Sequence, residues 1–350
     1  MTLGSAQHMF FLMNPPRANP LVFALLLLSS VALLAGGCRF SSGGDGPADA
    51  KRGPASDQRL DRARTLKRQG MLEAALVTFE KVLADNPREI TAHIGIGDIH
   101  EARGDYRAAS ERYAVAKRID PTNFKATYKL GLMYHLLDRV GDAIDEYLQA
   151  LTIEPGSFQA NLNVATAYLQ FGRPKLGLSY GRKAAQLRPS SQTAQANLGA
   201  LLAATGDYQA AVEHYRTAAE LGPISPELAL NMAEALNRAG RYQRAVNTLR
   251  VLTQGAASDN PEVYERLGYA HFKLRQYRPS LRAYDRALDL DPDNVPALNG
   301  KGVNLMTLYP QGGRNDASLR DRALEAWRRS VRLDGEQRRI IDLIARYRKL

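Results

Sequence analysis

The sequence predicts an all-α fold made of one helix–turn–helix unit repeated along the chain and closed by a C-terminal capping helix. Three observations lead there. Pro87, Pro121, Pro155, Pro189 and Pro223 stand 34 residues apart. Gly70 and Gly104 share that spacing, which resumes at Gly172, Gly206 and Gly240. Between these breakers the apolar residues recur with helical periodicity. A fixed period of this size marks an array of stacked units, so the 350-residue length does not imply two or three separate domains. With 45% hydrophobic and 24% charged residues, the chain is neither wholly disordered nor a polytopic membrane protein. A single cysteine excludes a disulfide framework and a multi-cysteine metal site. The net charge of +11 is spread along the chain and favours anionic surroundings without naming them.

The first element is an export signal, residues 1–37. Arg17 is its only charged residue, and it precedes the uncharged stretch from Leu21 to Gly37. A positive region, an apolar core and small residues before a cut site define such a segment. Ala35, Gly36 and Gly37 lead directly into Cys38. This ending resembles a bacterial lipoprotein signal, which implies lipidation of Cys38 as the new first residue. Ala35 departs from the leucine usual three places before the cysteine, and Leu34 sits one earlier. The other readings are an uncleaved inner-membrane signal anchor or simple secretion. Met9 and Met13 are alternative starts. Residues 38–55 are rich in Gly, Ser, Pro and charge and read as a flexible tether. Arg39 follows the cysteine in place of aspartate, which by the same resemblance implies the outer membrane, facing the periplasm.

Eight repeats follow, at 56–89, 90–123, 124–157, 158–191, 192–225, 226–259, 261–294 and an expanded 295–337. The first helix of each carries a small residue at its eighth position: Ala63, Gly97, Gly131, Ala165, Gly199, Ala233, Gly268 and Gly302. Glycine within a helix costs about 1 kcal/mol relative to alanine, so a close neighbour is expected there. Ala75, Ala109, Ala143, Ala211, Ala245 and Ala323 on the second helices are the expected partner surface. Tyr113, Tyr147, Tyr215, Tyr284 and Trp327 share one register and should fill the space between helix pairs. Ser258-Asp259-Asn260-Pro261 is a helix start. Residues 337–350 place Ile340, Ile341, Leu343, Ile344 and Tyr347 on one stripe, the cap a stack of repeats needs at its end.

The unit Tyr264-x-x-Leu267-Gly268-x-x-His271, with Ala287 and Pro292, resembles the tetratricopeptide repeat family. So does Leu130-Gly131-x-x-Tyr134 with Ala143, Tyr147, Ala150 and Pro155. The resemblance covers roughly residues 56 to 337 and implies an α-solenoid, a right-handed superhelix with first helices lining a concave face. It also implies a peptide-binding row at the sixth position of the first helix, where Asn163, Asn197 and Asn231 stand. An amide both donates and accepts, so it can pair with an extended backbone. Tyr128, Leu132, Leu162, Ala196, Ala200 and Leu230 make the nearby lining apolar or small, with Glu227 and Glu234 at one end. The paired basic residues of a carboxylate clamp are missing, since Leu162, Thr166, Ala196 and Ala200 occupy candidate places.

Three places break the pattern. Gly177 and Gly181 replace the usual alanine and aromatic in the fourth repeat, as tight packing or as a hinge. About nine extra residues around Tyr309–Asn315 enlarge the eighth. Residues 312–350 hold eleven basic and six acidic side chains, a basic cap. Chemistry is sparse. Of six histidines, His93 and His100 lie near Asp98 and Glu101, but no metal-ligand motif accompanies them. There is no phosphate loop, dinucleotide fingerprint or nucleophile elbow.

The expectation is therefore a non-enzymatic scaffold or adaptor of the bacterial cell envelope, without metal or cofactor. It would be lipid-anchored and would bind an extended or helical segment of a partner protein for assembly of an envelope complex. The alternative is a component of a polysaccharide export or cell-wall machine whose basic surface meets an anionic glycan. Export disfavours nucleic acid.

Overall fold

Several helix starts are set by single side chains. Asp105, Asn123, Ser157, Ser191, Asp207, Ser225 and Asn294 each accept a hydrogen bond from the backbone N–H three residues on. That satisfies donors which the first helical turn leaves free. The structure, a computed structural model, describes residues 54–255, 257–309 and 317–348. The export signal, Cys38, the start of the tether and residues 310–316 of the eighth-repeat insertion lie outside the described residues. Among those described there are seventeen α-helices and no strand. None is long and apolar enough to cross a membrane.

The described residues form two compact units, 54–205 and 206–348. The first contains α1 (Pro54–Arg68), α2 (Leu72–Asp85), α3 (Ile90–Ala102), α4 (Tyr106–Ile119), α5 (Phe124–Leu136), α6 (Val140–Ile153), α7 (Phe158–Gln170), α8 (Pro174–Leu187) and α9 (Gln192–Ala204). The second contains α10 (Tyr208–Leu221), α11 (Pro226–Arg238), α12 (Tyr242–Thr253), α13 (Pro261–Lys273), α14 (Tyr277–Leu290), α15 (Val295–Leu308), α16 (Ala317–Leu333) and α17 (Arg338–Tyr347). Within each unit successive helices pack as hairpins, and each hairpin packs on the next.

The turn inside a hairpin needs a left-handed residue. Gly70, Gly104, Gly172, Gly206 and Gly240 have φ between +72° and +91°. Where the 34-residue glycine series lapses, Asp138 (φ 59°) and Arg275 (φ 60°) adopt the same conformation. At the other end, α2, α4, α6, α8 and α10 stop two residues before Pro87, Pro121, Pro155, Pro189 and Pro223. Asn260 Oδ1 accepts from Glu262 N at 2.9 Å, so α13 starts at Pro261.

The small residues of the first helices receive rings rather than alanines. A Cβ on Gly97 would lie 2.7 Å from the Tyr113 ring, on Gly131 2.9 Å from Tyr147, and on Gly268 2.8 Å from Tyr284. Trp327 faces Gly302 in the same way, and Tyr284 also abuts Gly300 of the following repeat. The expected alanine partners Ala75, Ala109, Ala143, Ala211, Ala245 and Ala323 are fully buried, but they are not the atoms nearest these glycines. The aromatic register thus fills both the inside of a hairpin and the gap to the next. In the fourth repeat Leu201 of α9 supplies the missing bulk, lying 2.9 Å from a Cβ on Gly177 and 2.6 Å from one on Gly181. These glycines mark tight packing. At the C-terminus Ile340 of α17, 3% exposed, covers a core containing Trp327, Val303 and Leu324, with Leu343, Ile344 and Tyr347 against it.

Candidate functional site

First helices touch one another between repeats: α1 with α3 and α7 with α9 in the first unit, α11 with α13 and α13 with α15 in the second. Their polar side chains meet across these contacts. In the first unit Asn163 Nδ2 donates to the Tyr128 hydroxyl at 3.1 Å, and Asn197 Nδ2 donates to Thr166 Oγ1 at 2.6 Å. In the second, Arg266 takes the sixth position of its helix and reaches Glu234 at 3.6 Å. Asn237 Nδ2 also donates to the Arg266 carbonyl at 3.2 Å. At Asn163, Asn197 and Arg266 the sixth position therefore ties a helix to the one before it, and Arg266 continues in charged form a series that begins with amides.

The predicted lining divides accordingly. Asn163 is half-buried, whereas Asn197 and Asn231 are 7% and 8% exposed. The donors of Asn163 and Asn197 are engaged, while Asn197 Oδ1 and Asn231 Nδ2 are buried without a hydrogen-bond partner. Tyr128 and Leu162 are half-buried, as is Leu132. The Tyr128 ring stacks on Phe124 at 5.7 Å, and burial raises its hydroxyl to about 12 against the opposing bond from Asn163. Leu230 departs from expectation: at 3% exposure it packs with Ala229, Ala233 and Leu249 and lines no surface. Ala196 and Ala200 are likewise core. Glu234 is half-buried, and Arg238 Nε donates to its Oε1 at 2.7 Å.

A second polar group, in the first unit, escaped sequence reading. Asp98 accepts from Lys67, from Lys125 at 3.1 Å and from the Tyr113 hydroxyl at 2.8 Å. Lys129 is bonded to Glu101 at 2.7 Å, and the Tyr113 hydroxyl lies 2.7 Å from the same carboxylate. Burial alone would raise the Asp98 carboxyl, but Lys125 and Lys67 together hold it below its ordinary value. The signal was present as lysines one repeat away on neighbouring first helices. Asp98 and Glu101 are thus engaged by lysine and tyrosine, and no metal-binding group of three or more His, Cys, Asp or Glu occurs among the described residues. His93 Nε2 donates to the Pro87 carbonyl at 2.9 Å, closing the inter-repeat turn as the Asn161 and Gln195 amides do at Pro155 and Pro189. His135 bonds Gln170 at 2.7 Å, and burial pushes its pKa down.

Stacked helical hairpins, ring-on-glycine packing and polar ties between first helices define a repeat scaffold for protein interaction. Tetratricopeptide repeat profiles match residues 60–124, 97–158, 201–267 and 261–294, together more than half of the chain. The chain belongs to the tetratricopeptide repeat family, whose members bind protein or peptide partners. No catalytic family is indicated. No curated protein sequence matches the chain significantly. Among solved structures, the Cut9 and Hcn1 hetero-tetramer of the APC/C is similar at a TM-score of 0.53 and 17% identity, covering 84% of this chain and 56% of that one. A tetratricopeptide repeat protein from Parabacteroides merdae gives 0.50 at 14% identity, covering 72% of this chain and all of its own. The Pseudomonas aeruginosa pilF structure gives 0.49 at 20% identity, covering 57% and 91%. At these identities the likeness is one of fold alone.

Proposed function

We propose that this scaffold is an adaptor of the bacterial cell envelope, exported, lipid-anchored at Cys38 and bearing a groove for an extended or helical segment of a partner protein. Its task is assembly of an envelope complex. The observation that carries the groove is the first-helix face around Asn163, where the half-buried side chains of Tyr128, Leu132 and Leu162 lie beside an amide. An apolar segment gains burial there, and the amide oxygen remains as an acceptor for its backbone. The tether raises the effective concentration of the groove near the membrane. The exposed arginines Arg322, Arg328, Arg332, Arg338 and Arg339 on α16 and α17 favour a second reading, contact with an anionic glycan.

A photo-cross-linking amino acid placed at Leu162 and, separately, at Arg332 distinguishes the two in cells. A protein adduct from position 162 that is absent from position 332 is expected. Glycan adducts from position 332 with none from 162 would overturn the groove in favour of the second reading.

A further inference from the structure

The first-helix face of the second unit carries charge that its own residues do not balance. Three glutamates meet two arginines there. Arg238 is bonded to Glu234 Oε1 at 2.7 Å. Arg266 stands 3.6 Å from Glu234 Oε2 and 3.3 Å from Glu262 Oε2. Arg238 is thereby hydrogen-bonded and Arg266 ion-paired, with Glu262 Oε2 and Arg266 Nη1 left without hydrogen-bond partners, and Glu265, one residue before Arg266, takes part in no such pair. Its side chain is half-buried among Glu234 and Arg238 of α11 and Glu262, Arg266 and Tyr269 of its own helix. Tyr284 of α14 lies behind it. Lys301 of α15 is bonded to Asp285 at 2.7 Å, and Lys273 lies over the Tyr242 and Tyr269 rings.

Asn231 is a second, independent sign of an absent partner. It is 8% exposed, its Nδ2 has no hydrogen-bond partner, and it lies one helical turn before Glu234 on the same face of α11. Arg266 Nη1 is buried and unpartnered as well. A donor without an acceptor and a carboxylate without a cation flank the same glutamate. A ligand supplying the missing partner would relieve both.

We propose that this face seats a cationic side chain, arginine or lysine, of the bound segment against Glu265, with Asn231 donating to an adjoining backbone carbonyl. The inference rests on the groove reading above and names what the bound segment must carry. It runs against the overall charge of +11, because local imbalance decides contact while net charge acts only at longer range. Burial and the repulsion of Glu234 and Glu262 raise the free Glu265 carboxyl to about 7, with Arg266 and Arg238 opposing. A bound cation needs the ionised form. Binding is therefore near its full strength at about pH 8 and falls through pH 7 as Glu265 takes up a proton, becoming about tenfold weaker at pH 6 than at pH 8.

The test is selection of 12-residue peptides from a random displayed library, on the full chain in detergent and on its Glu265→Gln variant. Circular dichroism verifies that the variant folds. Arginine or lysine enriched at one peptide position by the wild type, and not by the variant, is expected. A selected peptide should then show the tenfold loss between pH 8 and pH 6 with the wild type and a flat profile with Glu265→Gln. Binders without basic enrichment, or a flat wild-type profile, would overturn the cation seat and leave the groove standing. Recovery of no binder by either protein would overturn both.

Discussion

Arg275 shows how much one residue can hold against its own preference. Its φ of 60° places a long, Cβ-bearing side chain in the conformation that glycine adopts in five of the other turns. That conformation costs an L-residue about 1–2 kcal/mol, and part of the gain from glycine is lost to the greater entropy of its unfolded chain. Arg275→Gly should therefore raise stability by about 0.5–1 kcal/mol, read as a higher midpoint in urea unfolding with an unchanged slope. Asp138 should respond less, since a short polar side chain tolerates the left-handed region and its Oδ1 accepts from Gln170 Nε2 at 3.3 Å. The same scale explains the histidines. His93 sits beside Asp98 in sequence, but its Nε2 is aimed at the Pro87 carbonyl, a use that spacing alone does not distinguish from ligation.

At the scale of the helix pair, the packing unit is a ring over a glycine. Gly131 and Tyr147 are the cleanest example, 2.9 Å apart once a Cβ is added. Gly131→Ala should cost about 1–3 kcal/mol, because the ring must move within a filled core. Tyr147→Leu should also destabilise. The double variant should lose at least about 1 kcal/mol less than the two losses added, and additivity in a double-mutant cycle would contradict the ring-on-glycine contact. Helix stops, the helix start at Pro261 and the repeat register were legible in the sequence because each depends on one residue at a fixed place, whereas the other Asx and Ser caps were not read from it. The identity of the glycine's partner was not legible. Several side chains of the second helix lie near enough to be candidates, and only the rotation of the two helices chooses Tyr147 over Ala143. For the same reason Leu230, three places before Ala233 on α11, was expected at the surface and is core. Glu265 was hidden differently. It looks like an ordinary helix-surface carboxylate until Arg238 is seen hydrogen-bonded to Glu234 and Arg266 ion-paired with Glu234 and Glu262.

For the whole molecule, the scaffold's use depends on where it is held. If the tether begins at a lipidated Cys38, labelled fatty acid should enter the wild-type chain and be absent from Cys38→Ser. The signal should also remain uncut in that variant. Equal labelling of both would refute the anchor and leave the scaffold intact. The packing of the fourth repeat has a further consequence, for how such a chain can change length. Repeat arrays grow and shrink by copying or dropping one period. Gly181 draws its cover from Leu201 of the fifth repeat, and the residue one period later is Ala235. Excising residues 192–225 would set Ala235 where Leu201 stood and open a cavity costing about 2–5 kcal/mol. The fifth period can thus not be lost while the fourth is kept, which makes this junction a place where the array does not shorten by one period.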